Sequence, residues 1–178
     1  KDGHLGIWTF PKSATGTPPP EGWYWSEKFD GYRAQWIASE KEFYSRALKI
    51  FNAPDWYKLA MPPKEKIDGE LWVGRENFQD MGVVRRKEPD EEGWMAVKFM
   101  AYDLPDKEKP FSERIKHLKK VVKDNAVRWN IIRKDLPEPF NTIECPLVFA
   151  PQTKIKSEEQ LVTAYTKIIQ GGGEGVMI

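Results

Sequence analysis

The stretch WYWSEKFDGYRAQW, Trp23 to Trp36, sets a single lysine, Lys28, at the end of an aromatic run and follows it at once with Phe29-Asp30-Gly31. Trp23 to Lys28 and Tyr32 to Ala38 read as strands, with Asp30-Gly31 as a tight-turn dipeptide between them. A strand of this apolar character does not need a lysine at its end. One reading is a side chain that lays its stem on apolar surface and keeps its ammonium in water. The other is chemical. A lysine amine is a nucleophile only when neutral, and an aromatic pocket or nearby metal cations favour that form.

Working outward, Lys12 to Trp23 is a Pro/Gly/Thr loop, and Glu42 to Arg46 is a third strand. Ala53 to Leu59 reads as a short helix opened by Asn52 and Pro54 and stopped by Pro62-Pro63. Lys66 to Val73 and Met95 to Leu104 read as strands; Phe78 to Lys87 is ambiguous because Gly82 interrupts it. Ser112 to Asn125 is predicted as a helix capped by Ser112, with Ile115, Leu118 and Val122 as its apolar stripe. Glu144 to Ala150 is a strand. Ser157 to Gln170 is a helix with the capping box Ser157-x-x-Gln160 and the stop Gly171. Glu174 to Ile178 starts another strand. Many strands with three interspersed helices, not in strict alternation, predict an α+β domain of mostly antiparallel sheets.

The bulk numbers narrow the function. At 178 residues the chain can bury one real core. A net charge of +1 gives no global pull towards nucleic acid, so any such contact rests on local patches. Eight Trp, nine Phe and six Tyr are enough rings both to fill a core and to stack on a flat ligand. One cysteine, Cys145, excludes an internal disulfide and a cysteine-cluster metal site; His4 and His117 alone make a histidine zinc site a poor fit. No signal peptide and no membrane-spanning run is recognisable, so the expectation is an intracellular protein with no membrane partner.

Three further fragments join the lysine. Ile67 to Leu71 carries Asp68-Gly69-Glu70, Lys98 to Asp103 carries Phe99, Tyr102 and Asp103, and Glu174-Gly175-Val176-Met177 stands near the end. A K-x-D-G, a D-G-E and an E-G-V-M in that order arise by chance in about 1 in 10⁵ chains of this length.

With these motifs the chain resembles the covalent nucleotidyltransferases, the group of DNA ligases, RNA ligases and mRNA capping enzymes, over nearly its whole length. Lys28 to Arg33 matches the nucleophile motif K-x-D-G-x-R, and Ser45-Arg46, Asp68-Gly69-Glu70, Phe99 to Asp103 and Glu174 to Met177 match those that follow. The E-G-V-M form and the segment GRENFQDMGVVRR are most similar to ATP-dependent DNA ligases. The resemblance implies an ATP-grasp-like nucleotidyltransferase domain spanning residues 1–178, with the nucleotide in the cleft between sheets.

It also implies roles. Lys28 attacks the α-phosphorus of ATP and carries AMP; the AMP passes to the 5′-phosphate of nicked double-stranded DNA, and the 3′-hydroxyl seals the nick. Phe99 and Met177 sandwich the adenine, and Ser26 reads its edge. Arg33 and Arg46 hold sugar and phosphate, and Glu70 accepts from the ribose hydroxyls. Glu174 binds Mg²⁺ or Mn²⁺. Asp30 acts in the later steps or supports the turn. Arg85, Arg86 and Lys87 are candidate DNA contacts, as are Lys116, Lys119, Lys120 and Lys123 on one helix face, where a plain solvated surface is the simpler reading. A monomer is expected.

The family's next motif, K-x-K, and the OB-fold domain that usually follows are not found before Ile178, and the first residue is not Met; the expectation is a cut chain. An RNA ligase or GTP-using capping enzyme shares the Lys28 chemistry, and a non-catalytic nucleotide- or nucleic-acid-binding fragment is the alternative from another class.

Overall fold

The computed structural model describes the backbone of Ile7–Trp8 and residues 22–178. Residues 12–21 of the expected loop, and His4, lie outside the described residues. The chain falls into two compact units: residues 1–30, 74–76 and 150–178 form the first, and residues 31–73 and 77–149 the second.

The first unit is a small antiparallel sheet with one helix. Its strands are β1 (Ile7–Trp8), β2 (Tyr24–Glu27), β9 (Thr153–Lys154) and β10 (Val176–Met177), in the order β1-β10-β2-β9. Helix α3 (Glu158–Gln170) packs on it, where Leu161 and Ile168 meet Val176 and Trp25. Ser157 caps α3 as its sequence predicts, accepting from Gln160 N at 3.1 Å. The return bond differs from a capping box: Gln160 Oε1 accepts from Lys156 N at 2.8 Å, one residue before the cap.

The second unit is a six-stranded sheet. Strands β3 (Tyr32–Ile37), β4 (Glu42–Ser45), β5 (Ile50–Phe51), β6 (Lys66–Trp72), β7 (Lys98–Asp103) and β8 (Leu147–Phe149) run in the order β5-β4-β3-β6-β7-β8, and only β7 and β8 are parallel. One face carries the core: Ala34 and Trp36 of β3, Phe43 of β4, Ile67 and Leu71 of β6, and Phe99 and Ala101 of β7. Helix α1 (Asp55–Leu59) and helix α2 (Phe111–Ile132) add Trp56, Tyr57, Leu118 and Trp129 to it. The ambiguous segment is a 3₁₀ helix, Phe78–Arg85, that buries Met81 and Val84.

Two expectations are corrected. Asp30-Gly31 does not turn a hairpin, because β2 and β3 belong to different sheets. Gly31 serves close approach instead: a Cβ there would lie 2.0 Å from the Leu71 carbonyl oxygen. Helix α2 starts one residue before Ser112, after Pro110, and runs to Ile132, well past Asn125. Asn125 reads as a stop in sequence, yet here it is 4% exposed and its Nδ2 donates to the Ala60 carbonyl at 2.8 Å. Satisfied in this way, a buried asparagine costs the helix little, and the apolar stripe continues to Trp129. Among the described residues no helix is long and apolar enough to cross a membrane.

Candidate active site

Strand β2 delivers Lys28, and the pleat decides its company. Ser26 lies opposite Met177 and Glu27 opposite Val176 in the antiparallel register, and Lys28 N continues the ladder by donating to the Gly175 carbonyl at 2.8 Å. Alternation puts Trp25, Glu27 and Val176 on the face that meets α3, and Ser26, Lys28 and Met177 on the other. Glycine opposite Lys28 leaves its side chain without a cross-strand neighbour. Glu27 is fixed on the far face by a two-pronged ion pair with Arg75, whose Nε and Nη2 donate at 2.9 and 3.0 Å.

Lys28 Nζ donates to Glu174 Oε2, joining the K-x-D-G lysine to the E-G-V-M glutamate across 146 residues. The pair is partly open, with side-chain exposures of 31% and 38%. Asp30 stands close enough to feel both: its carboxyl is raised above its ordinary value by burial first and by the Glu174 charge second, against the lowering effect of Lys28. A folded-state value above the unfolded one means that stability falls as pH rises between the two. Asp30→Asn is therefore expected to raise the melting temperature by about 1 °C at neutral pH in chelator-treated buffer. The gain should vanish at pH below the ordinary value of 3.8, where Asp30 is protonated in both states. Paired melts across acid to neutral pH measure this.

The residues fit a hard divalent cation. Glu174 offers carboxylate oxygen at a partly open position. Among the described residues no group of three or more His, Cys, Asp or Glu could cage a metal by itself. Mg²⁺ is commonly held through one or two carboxylates and the phosphates of a substrate, which is the donor set this position allows.

In the second unit a bulge between Asp68 and Gly69 shifts the β6–β7 register, so that Glu70 faces Met100 while Asp68 pairs with Asp103. Glu70 lies opposite Arg33 on β3 and accepts from Gly31 N at 3.3 Å. Arg33 is not an unengaged fork: its Nε and Nη2 donate to both oxygens of Asp68, at 3.2 and 2.7 Å. Arg46 follows the end of β4 and is exposed.

Phe99 is corrected. Its ring is 0% exposed and packs edge-on against Phe43, with centroids 5.1 Å apart, on the core face of the sheet. It has no face to offer a base. The aromatic on the face of Glu70 is Tyr102, two residues beyond Met100. Burial, then the charges of Asp68 and Glu70, push its hydroxyl far above the usual phenol range, so it stays neutral. Once the structure places Phe99 and Ala101 in the core, alternation along KFMAYD puts Tyr102 on the opposite face.

Of the basic residues, Arg85 lies over the Tyr32 ring at 5.8 Å, Arg86 pairs with Asp90, and Lys87 is exposed. The α2 lysines are all exposed, and Lys120 Nζ donates to Asp124 at 2.7 Å. They form a solvated helix face.

The family described as ATP dependent DNA ligase domain matches residues 12–178, and the chain belongs to that family. A DNA ligase of Haemophilus influenzae is 31% identical over 119 residues, 67% of this chain and 43% of the relative. A solved structure described as "DNA binding with a minimal scaffold: Structure-function analysis of Lig E DNA ligases" is 27% identical, with a TM-score of 0.71 over 99% of this chain and 60% of that one. The Chlorella virus DNA ligase-adenylate shares the fold at 16% identity and a TM-score of 0.65, over 89% of this chain and 54% of that one. The chain thus spans less than two thirds of the length of each of these relatives.

Proposed function

We propose that this chain carries the adenylation chemistry of an ATP-dependent DNA ligase. The observation that carries the reading is the Lys28–Glu174 pair, on the sheet face that also bears Ser26 and Met177. An amine at a strand end, beside carboxylates and with no side chain opposite, is a suitable nucleophile once it has given up its proton.

The Lys28 nitrogen lone pair forms a bond to the α-phosphorus of ATP, the bond to the bridging oxygen breaks, and pyrophosphate leaves with those electrons. The 5′-phosphate of a nicked strand then takes the AMP from Lys28, and the 3′-hydroxyl displaces AMP to form the phosphodiester. Glu174 holds Mg²⁺ or Mn²⁺, which when bound supplies positive charge where the phosphates develop negative charge. Ser26 and Met177 are assigned to the adenine, Glu70 to the ribose hydroxyls, and Arg46 to phosphate. Arg33 is assigned the positioning of Asp68 beside its role towards phosphate. Tyr102 replaces Phe99 as the aromatic for the base. Arg85 and Lys87 are the stronger candidates for DNA phosphates, since Arg86 is paired. A monomer acting on nicked double-stranded DNA inside the cell completes the reading.

The test is intact mass before and after ATP and magnesium, followed by sealing of a nicked, 5′-phosphorylated duplex. A gain of one AMP together with sealed product supports the reading; absence of the adduct overturns it. The aromatic assignment has its own test. Tyr102→Leu is expected to raise the ATP concentration for half-maximal adduct formation about tenfold, the usual order for a lost base–aromatic stack. Phe99→Leu should leave that concentration unchanged and lower stability by about 1.5 kcal/mol.

A further inference from the structure

Glu27 precedes Lys28 on β2 and points to the opposite face, so it takes no direct part in chemistry at the amine. It is held all the same by a fork, Arg75 Nε and Nη2 on its two oxygens at 2.9 and 3.0 Å. The same guanidinium has a further engagement: Arg75 Nη1 donates to the Gly171 carbonyl at 3.2 Å. Gly171 ends α3 and opens the run Gly171-Gly172-Gly173-Glu174 that leads into β10. One side chain therefore ties the strand that delivers Lys28 to the loop that carries Glu174. Residues 74–76 belong to the first unit, so the whole tie lies inside one compact body.

The loop is shaped around this ion pair. A Cβ on Gly171 would overlap Arg75 Nη1, and one on Gly173 would overlap Ile168 Cγ2 and press on Glu27 Oε1 at 3.0 Å. Only glycine lets the backbone come so close to the pair from both of its ends. Stability does not account for the arrangement. The side chains are 36% and 19% exposed, and an ion pair in contact with solvent contributes little. What a fork with a third donor supplies is geometry: it fixes two backbone segments relative to each other.

We propose that Arg75 is a positioning residue for the adenylation step: by holding Glu27 and the Gly171 carbonyl together, it sets Glu174 in register with the Lys28 amine. This rests on the ligase reading above, which supplies the step. Arg75→Gln and Glu27→Gln are compared with the parent by following AMP uptake with intact mass over time, at saturating ATP and magnesium. Both variants are expected to react about 10- to 100-fold more slowly, the order for a misplacement of about 1 Å at a reacting centre. Both should still reach the parent's final adduct fraction and melt within about 3 °C of it. Lys120→Gln, which breaks an exposed ion pair on α2, is the control and should keep the parent rate. A second readout needs neither ATP nor metal. After reductive ¹³C-methylation of the lysines, the Lys28 NMR signal, assigned with Lys28→Arg, should move in Arg75→Gln in the direction that Glu174→Gln moves it. Parent-like rates and an unmoved signal in both variants overturn the positioning role while the ligase reading stands. A lowered final adduct fraction with a much lower melting temperature also overturns it, since Arg75 would then serve folding alone. If the parent takes up no AMP, the ligase reading fails and the positioning role with it.

Discussion

Lys28→Ala is expected to reduce AMP uptake on incubation with ATP and magnesium by at least about 10⁴-fold, to below detection by intact mass. The loss follows from chemistry: of the groups nearest Lys28 on that sheet face, Ser26 is 2% exposed and Met177 is a thioether, while the Lys154 amine lies opposite Tyr24, four residues back along β2. Lys28→Arg should lose as much, since a guanidinium stays protonated and presents no free lone pair at working pH. Both variants should melt close to the parent, because Lys28 is partly exposed and its ion pair with Glu174 contributes little in contact with solvent. An adduct that persists in Lys28→Ala would place the nucleophile elsewhere. A nicked duplex supplied already adenylated at its 5′ end separates the steps: the alanine variant should still seal it if nick closure does not need the amine.

Gly31→Ala carries the second large effect, and it is structural. The added Cβ would meet the Leu71 carbonyl oxygen at 2.0 Å, its carbon at 3.0 Å and Glu70 Cγ at 3.2 Å. The nearest atoms are backbone at the Tyr32–Leu71 end of the β3–β6 ladder, so relief requires moving a strand end rather than turning a side chain. The expected cost is about 3 kcal/mol, or a melting temperature lower by about 6–12 °C. Glu70 should be disturbed too, because it accepts from Gly31 N. Gly82→Ala is the control: a Cβ there meets nothing within 4 Å, and the change should leave stability equal or raise it by about 0.5 kcal/mol. Equal melts for the two alanine variants would show that the close approach at Gly31 is not rigid.

Much of the fold was legible from the chain. The strands starting near Trp23, Tyr32, Glu42 and Lys66 were found within a residue or two, because their alternation of apolar and polar residues matches a pleat. The Ser157 cap and the end of α3 were legible because capping is local chemistry. The length of α2 was not. Asn125 and Arg128 look polar in sequence, and only the carbonyls of Ala60, Leu59 and Met61, which accept from them, explain why the helix continues. Asp30-Gly31 was read as a tight-turn dipeptide between two strands, and a D-G dipeptide looks the same whether the chain folds back or passes into another sheet.

Residue types at motif spacing were enough to identify Lys28, Asp68-Gly69-Glu70 and Glu174 as chemically meaningful, since reactivity belongs to the side chain itself. Which partner each group meets belongs to the tertiary structure. Lys28 and Glu174 are 146 residues apart and become neighbours only through the β2–β10 register. Asp68 takes the Arg33 fork as its diagonal neighbour in the regular β3–β6 ladder, a register that no motif announces. Phe99 and Tyr102 are both aromatic in one short strand, and local sequence weighs them equally. The pleat separates them, because a strand sends alternate side chains to opposite faces and the core can lie on only one.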